Sequence, residues 1–188
     1  MRIVLASASP FRKRALDMLG LAYEVCPSRV DEKAIRDNDP VCLTRKLAEA
    51  KAHTVANQHR DAVVVSGDAV AAKNRKIYEK PQSVEEAAQF LRELSGSEFQ
   101  FVTALAVFSA RTGKMLSTVE TSNICFRPLI EREIREYIRK YSVLNYAGAF
   151  ESDAALFFAD RISGSYNFVT ALPVSRLIVF LRAQGVEI

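Results

Sequence analysis

Apolar residues along the chain form short continuous runs that alternate with stretches of helical spacing. Residues 2–6 carry Ile3, Val4 and Leu5 without a polar break, which predicts a short strand buried on both faces. Ser7-Ala8-Ser9-Pro10 follows, with Ser9 placed to cap a helix and Pro10 suited to its first position. That helix is expected to run to about Leu19 and stop at Gly20. Tyr23–Cys26 reads as a second strand, and the polar stretch 27–38, which holds Asp31 and Glu32, reads as a loop. Asp39-Pro40 repeats the cap-and-proline signal and starts a helix to about Asn57 that carries Lys51.

Val63-Val64-Val65 is a second β-branched run, a buried strand expected to end at Ser66-Gly67-Asp68. A hairpin through 73–76 leads to Tyr78-Glu79-Lys80-Pro81. Ser83 and Glu86 have the spacing of a capping box, and Ala87, Phe90, Leu91 and Leu94 then recur at i, i+3, i+4 and i+7 up to Gly96. Phe99–Phe108 and Met115–Phe126 read as long strands joined by a turn at 111–113. Ile130, Ile134, Tyr137, Ile138 and Tyr141 mark a helix, 154–162 a strand, and Val174–Gln184 a closing helix before Gly185. Strands and helices alternate and a hairpin follows, which predicts an α/β fold: a mixed twisted sheet with flanking helices. At roughly 150 residues per domain, the 188 residues make a single domain spanning 1–188.

Composition narrows the classes. With 49% apolar and 26% charged residues, the chain is globular rather than disordered. No apolar run reaches the roughly 18 residues of a membrane span. The N-terminus enters a strand without the pattern of a signal peptide, so a cytoplasmic location without a membrane partner is expected. Cys26, Cys42 and Cys125 form no C-x-x-C pair and read as core-filling thiols. The charge balance, 26 basic against 22 acidic residues, gives +4, a mild preference for anionic ligands. Basic residues interleave with Glu in segments such as Glu131–Lys140, which argues against a stable nucleic-acid partner. The seven glycines are too widely spaced for a P-loop or a dinucleotide fingerprint, and G-x-S-x-G is absent. His53 and His59 fall on different faces of a helix. Any phosphate must be held by another device.

Two features stand out. Arg12-Lys13-Arg14 lies in the first turns of a helix, where the backbone dipole is already positive and an anion would relieve the charge. With the hydroxyls of Ser7 and Ser9 this makes a phosphate cradle without glycines; a solvated basic face is the plain alternative. Asp68 is expected at the carboxyl end of the most buried strand, where α/β sheets place ligands, or else as the cap of a turn. Asp31, Glu32, Lys51 and Lys80 are ordinary surface charges taken singly. Together with Asp68 they supply carboxylates for a hard divalent cation and lysines to neutralise a polyphosphate.

The blocks Leu5-Ala6-Ser7-Ala8-Ser9-Pro10-Phe11-Arg12, Val30-Asp31-Glu32, Leu47-Ala48 to Lys51-Ala52, Ser66-Gly67-Asp68, Lys80-Pro81, Leu94-Ser95-Gly96, Val102-Thr103 and Ala147-Gly148-Ala149-Phe150 closely resemble the Maf family, in order and over essentially the whole chain. The resemblance implies a cytoplasmic nucleoside triphosphate pyrophosphatase with two α/β lobes around a central groove, like the inosine triphosphate pyrophosphatases. By the same resemblance Asp68 is the catalytic carboxylate, Lys51 and Lys80 are catalytic cations, and Ser7 and Arg12 contact phosphate. Glu32 and Asp68 hold a divalent metal, Mg²⁺ or Mn²⁺, and a homodimer is the family's expectation.

Members similar to dTTP/UTP pyrophosphatases carry Arg, Thr and Gln where this chain has Phe11, Ala69 and Asp153. The 7-methyl-GTP branch is nearer, with an aromatic after Ser-Pro and a block similar to Ala147–Asp153, although Glu151, Asp153 and Ala69 depart from it. A carboxylate such as Asp153 accepts from guanine N1–H and N2–H, and a cationic N7-methylated base suits stacking on Phe11. The expected substrate is therefore 7-methyl-GTP or another modified nucleotide. A dTTP/UTP pyrophosphatase is the alternative within the family, a non-enzymatic regulator of septum formation the alternative outside catalysis, and an RNA-binding module has only Arg12–Arg14 behind it.

Overall fold

The computed structural model describes residues 1–188, apart from the side chains of 154 and 155. Seven strands, β1 (Ile3–Leu5), β2 (Glu24–Val25), β3 (Val63–Lys73), β4 (Lys76–Tyr78), β5 (Glu98–Ser109), β6 (Met115–Phe126) and β7 (Ala159–Gly164), pair in the order β2-β1-β3-β5-β6-β7, with β4 on β3. The sheet is mixed: β1 runs parallel to β2 and β3, whereas β3–β4 and β6–β7 are antiparallel. The helices are α1 (Pro10–Asp17), α2 (Pro40–Ala56), α3 (Val84–Leu94), α4 (Glu131–Lys140), a single turn α5 (Ser152–Ala155) and α6 (Val174–Ala183). This is the mixed α/β fold that the sequence predicts. No helix among the described residues is long and apolar enough to cross a membrane.

The chain builds two compact units, one from residues 1–68, 103–120 and 170–188, the other from 69–102 and 121–169. In the first, strand alternation sorts side chains onto two faces. Ile3, Leu5, Val63, Val65, Leu105 and Val107 pack against Ala15 and Leu16 of α1 and Leu177 and Leu181 of α6. Val4, Val64, Ala104, Ala106 and Phe108 pack against Ala48, Ala52, Val55 and Ala56 of α2. Val63, Val64 and Val65 are fully buried because both faces are covered, as their unbroken β-branched run predicts. The second unit has an aromatic core. Phe99, Phe101, Phe126, Phe150, Phe158 and Phe168 gather there with Phe90 and Leu91 of α3 and Ile134 and Tyr137 of α4.

Several boundaries differ from the expectation. β3 does not end at Asp68 but continues to Lys73, because Ala71, Ala72 and Lys73 find partners in Tyr78, Ile77 and Lys76 of β4. Asp68 therefore sits within the strand. α1 closes at Asp17, with Gly20 in the left-handed region. The Ser9 hydroxyl makes no capping bond; the Ser9 amide instead donates to Ser7 Oγ at 3.2 Å. The capping box of α3 is one-sided, for Ser83 Oγ accepts from the Glu86 amide at 3.1 Å but Glu86 takes the amide of Gln82. Residues 27–38 include a 3-10 turn at Glu32–Ala34. Of the strand expected over 154–162, β7 supplies Ala159–Gly164, and the side chains of 154 and 155 lie outside the described residues.

The β3–β4 hairpin turns through Asn74 and Arg75, at φ 50° and 67°. Two left-handed residues in a two-residue hairpin loop favour Asn followed by Gly, and the side chain of Arg75 is strained there. Arg75→Gly is expected to raise stability by about 1 kcal/mol, the relief of strain being partly offset by unfolded-state entropy; denaturant melts of the two proteins check it.

Candidate active site

The end of β1, the first turn of α1, one face of α2 and the middle of β3 meet within the first unit. Ser7, just past β1, is buried, and its Oγ accepts from Arg12 Nη1 at 3.1 Å. Arg12 is tied at a second point, its Nε donating to the carbonyl of Ala171 at 3.3 Å. The cation that is unfavourable at a helix N-terminus is thus turned inward. Gly67 leaves the room: a Cβ there would lie 2.5 Å from Leu172 Cδ2, 2.8 Å from the carbonyl oxygen of Ala104 and 3.3 Å from Arg12 Nε.

On the other face of β3, Ser66 Oγ donates to the carbonyl of Ala48, which pins the strand to α2. Two residues along, Asp68 meets the next turn of that helix, with Lys51 Nζ 2.6 Å from Asp68 Oδ1. The same ammonium is 3.1 Å from Glu32 Oε2 on the 3-10 turn. Asp68 and Lys51 are almost wholly buried, whereas the Glu32 side chain is 56% exposed. Burial pushes the Asp68 carboxyl above the usual aspartate range, with Lys51 and Arg12 pulling the other way. Burial also lowers the Arg12 guanidinium, which Asp68 and Glu32 oppose.

The first unit thus brings together Ser7, Arg12, Glu32, Lys51 and Asp68. Phe11 is half-buried on α1, one residue before Arg12. Ala69 follows Asp68 along β3 but belongs to the second unit, as do the exposed Lys80 after β4 and the exposed Asp153 in α5. The Ala171 carbonyl has no sequence signal, since a backbone acceptor leaves none.

No group of three or more His, Cys, Asp or Glu gathers among the described residues. Asp68 and Glu32 nevertheless face one cationic position, the Lys51 ammonium. Two carboxylates of this kind suit a Mg²⁺ ion that keeps water and ligand phosphate oxygens as its remaining partners.

Asp68 is thus a buried acid with the Lys51 ammonium against it and the Arg12 guanidinium near enough to act on its charge. The chain belongs to the Maf family, matching the family described as Maf-like protein over residues 2–184. It is 36% identical over 183 residues to the dTTP/UTP pyrophosphatase of Aquifex aeolicus, covering 97% of this chain and 95% of that one. It is 37% identical over 187 residues to the dTTP/UTP pyrophosphatase of Desulforamulus reducens, covering 99% and 98%. Among solved structures it is similar to a nucleoside-triphosphatase / dITP/XTP pyrophosphatase from Mycobacterium abscessus, with a TM-score of 0.48, 15% identity, and coverage of 98% of this chain and 94% of that one.

Thr103, on β5, is 1% exposed and its Oγ1 has no hydrogen-bond partner among the described residues. An unpaired buried hydroxyl costs desolvation without return. Thr103→Val, which keeps the shape and removes that cost, is expected to raise stability by about 1 kcal/mol; thermal melts check the sign.

Proposed function

We propose that the protein hydrolyses nucleoside triphosphates between the α and β phosphates, releasing a nucleoside monophosphate and pyrophosphate. The observation that carries this reading is the buried Asp68 carboxylate held at 2.6 Å by Lys51, in the unit that also turns Arg12 inward. Family membership and the names of its relatives support it.

A water oxygen attacks the α phosphorus, and Asp68 takes the proton that the water gives up. The bond from that phosphorus to the bridging oxygen breaks, and the electron pair leaves with pyrophosphate. Arg12 and the Ser7 hydroxyl hold phosphate oxygens, and Lys51 offsets the charge that develops on the leaving group. Lys80 enters this reading through the family resemblance alone. A divalent ion held by Asp68 and Glu32 would, when bound, neutralise phosphate oxygens and so make the phosphorus easier to attack.

The base is read as N7-methylated guanine, on the chemistry of two side chains. Phe11 gives a face to a cationic ring, and Asp153 is a carboxylate that accepts from N1–H and N2–H. Ala69 adds no polar group. The second reading, dTTP or UTP, is supported by the names of the relatives from Aquifex aeolicus and Desulforamulus reducens.

Asp68→Asn is expected to lower kcat by about 10³-fold, the scale of a lost general base, with the melting profile retained; full activity in a folded variant removes Asp68 from the step. Because the carboxylate must be ionised to accept a proton, activity should fall as pH drops through the raised Asp68 value. The acid limb of kcat/KM is then centred above about 4, where an ordinary aspartate titrates. A limb at or below that value contradicts the role of burial.

Pyrophosphate release from 7-methyl-GTP, GTP, UTP, dTTP and CTP, measured in parallel with and without Mg²⁺ or Mn²⁺, separates the readings of the base. The largest kcat/KM is expected for 7-methyl-GTP. A larger one for UTP or dTTP overturns the reading of Phe11 and Asp153 and leaves the hydrolysis standing, and no turnover of any of the five overturns the proposal.

A further inference from the structure

The segment just before α6 carries a conformation that its sequence does not favour. Ala171 is buried, 8% exposed, and has φ 49°, in the left-handed region where a Cβ is penalised. It is one of four non-glycine residues at positive φ, beside Asn74, Arg75 and Ala149. Asn74 and Arg75 are explained by their hairpin. Ala171 is not in a hairpin, and a bond from Thr170 Oγ1 to the carbonyl of Leu172, 2.9 Å long, closes a turn around it.

The consequence of that turn is the direction of one carbonyl. Ala171 O accepts from Arg12 Nε at 3.3 Å, across 159 residues of chain, while Arg12 Nη1 is fixed on Ser7 Oγ at 3.1 Å. Two bonds from different atoms of one rigid, planar guanidinium set its orientation as well as its place. Leu172, fully buried, lies over Gly67, so the strap is also clamped from below. In a relaxed β or α conformation at Ala171 the carbonyl would point elsewhere, and the Nε–H would lose its acceptor. Strain held by surrounding structure and spent on orienting a charged side chain is the pattern of pre-organisation.

We infer that the strained turn Thr170–Leu172 is a positioning device for Arg12, with Ala171 fixing the guanidinium and Thr170 locking Ala171 in place. Neither residue is assigned to the chemistry itself. The kinetic side of this inference rests on the reading of Arg12 as a ligand of substrate phosphate; the side-chain geometry does not.

The test uses the full-length protein. Hydrogen exchange at arginine Nε–H, followed by NMR, reads the contact directly. In the unaltered protein Arg12 Nε–H should exchange at least about tenfold more slowly than that of the exposed Arg111. In Thr170→Val, which removes only the hydroxyl, that protection should be lost. Ala171→Gly, which tolerates the left-handed conformation, should keep it and melt no lower.

Kinetics add a cycle. Thr170→Val should raise KM for the best nucleoside triphosphate about tenfold with kcat within about twofold, and should have no further effect in an Arg12→Lys background, because a lysine cannot make the same pair of bonds. An unprotected Arg12 Nε–H in the unaltered protein overturns the inference, as does unchanged protection in Thr170→Val or a KM effect that persists with Arg12→Lys. If no nucleoside triphosphate is turned over, the proposed function fails and the exchange measurement still decides the positioning role. If Thr170→Val does not fold, comparison of Arg12 with Arg111 in the unaltered protein decides whether the contact with the Ala171 carbonyl holds.

Discussion

A carboxylate that leaves water must find a cation, and the pairing of Asp68 with Lys51 fixes the arrangement of the first unit around it. The 2.6 Å contact joins the middle of β3 to the middle of α2. It holds only while both elements keep their register, which Ser66 and the Ala48 carbonyl enforce one turn away. The pair is not a simple source of stability. Removing both ions from water costs energy that their attraction only partly returns, and burial still drives the Asp68 carboxyl upward despite two neighbouring cations. A site kept under such tension points to use rather than to stability alone.

The sheet distributes this chemistry between its two faces. Alternation along β3 sends Ser66 and Asp68 toward α2 and leaves Gly67 toward α1 and the segment before α6. The missing side chain of Gly67 is as necessary as the present one of Asp68. It leaves the space where Leu172 and Arg12 approach the strand. Acid and guanidinium thus reach one region from opposite sides of a single strand, each braced by its own helix. The dipole of α1 adds positive charge where Ser7 and Arg12 already lie.

Strain is placed selectively. At the hairpin tip Arg75 occupies a left-handed position with no evident return, whereas at Ala171 the same kind of conformation delivers a carbonyl to Arg12. Unpaired polarity is likewise confined, for among the described residues Thr103 alone carries a fully buried side-chain atom without a partner.

The sequence by itself determined the mixed α/β class, the burial of Val63–Val65 on both faces, the start of α2 at Asp39-Pro40 and the amphipathic α3, because each rests on local periodicity or on a cap within a few residues. It also singled out Ser7, Arg12 and Asp68, since cations at a helix N-terminus and an acid beside a buried run are anomalies visible without coordinates, whereas Glu32 and Lys51 are ordinary charges taken singly and stand out only through the family resemblance. Only the tertiary structure decided that β3 runs on unbroken past Asp68 into the hairpin at 73–76, because Ser66-Gly67-Asp68 reads locally as a turn while the pairing with β4 that extends the strand lies several residues further on. Likewise the contact of Lys51 with both carboxylates, and of Arg12 with the carbonyl of Ala171, joins residues far apart in the chain. Backbone carbonyls and strained alanines leave no mark in a sequence, because their role is set by where the fold points them and not by what their side chains are.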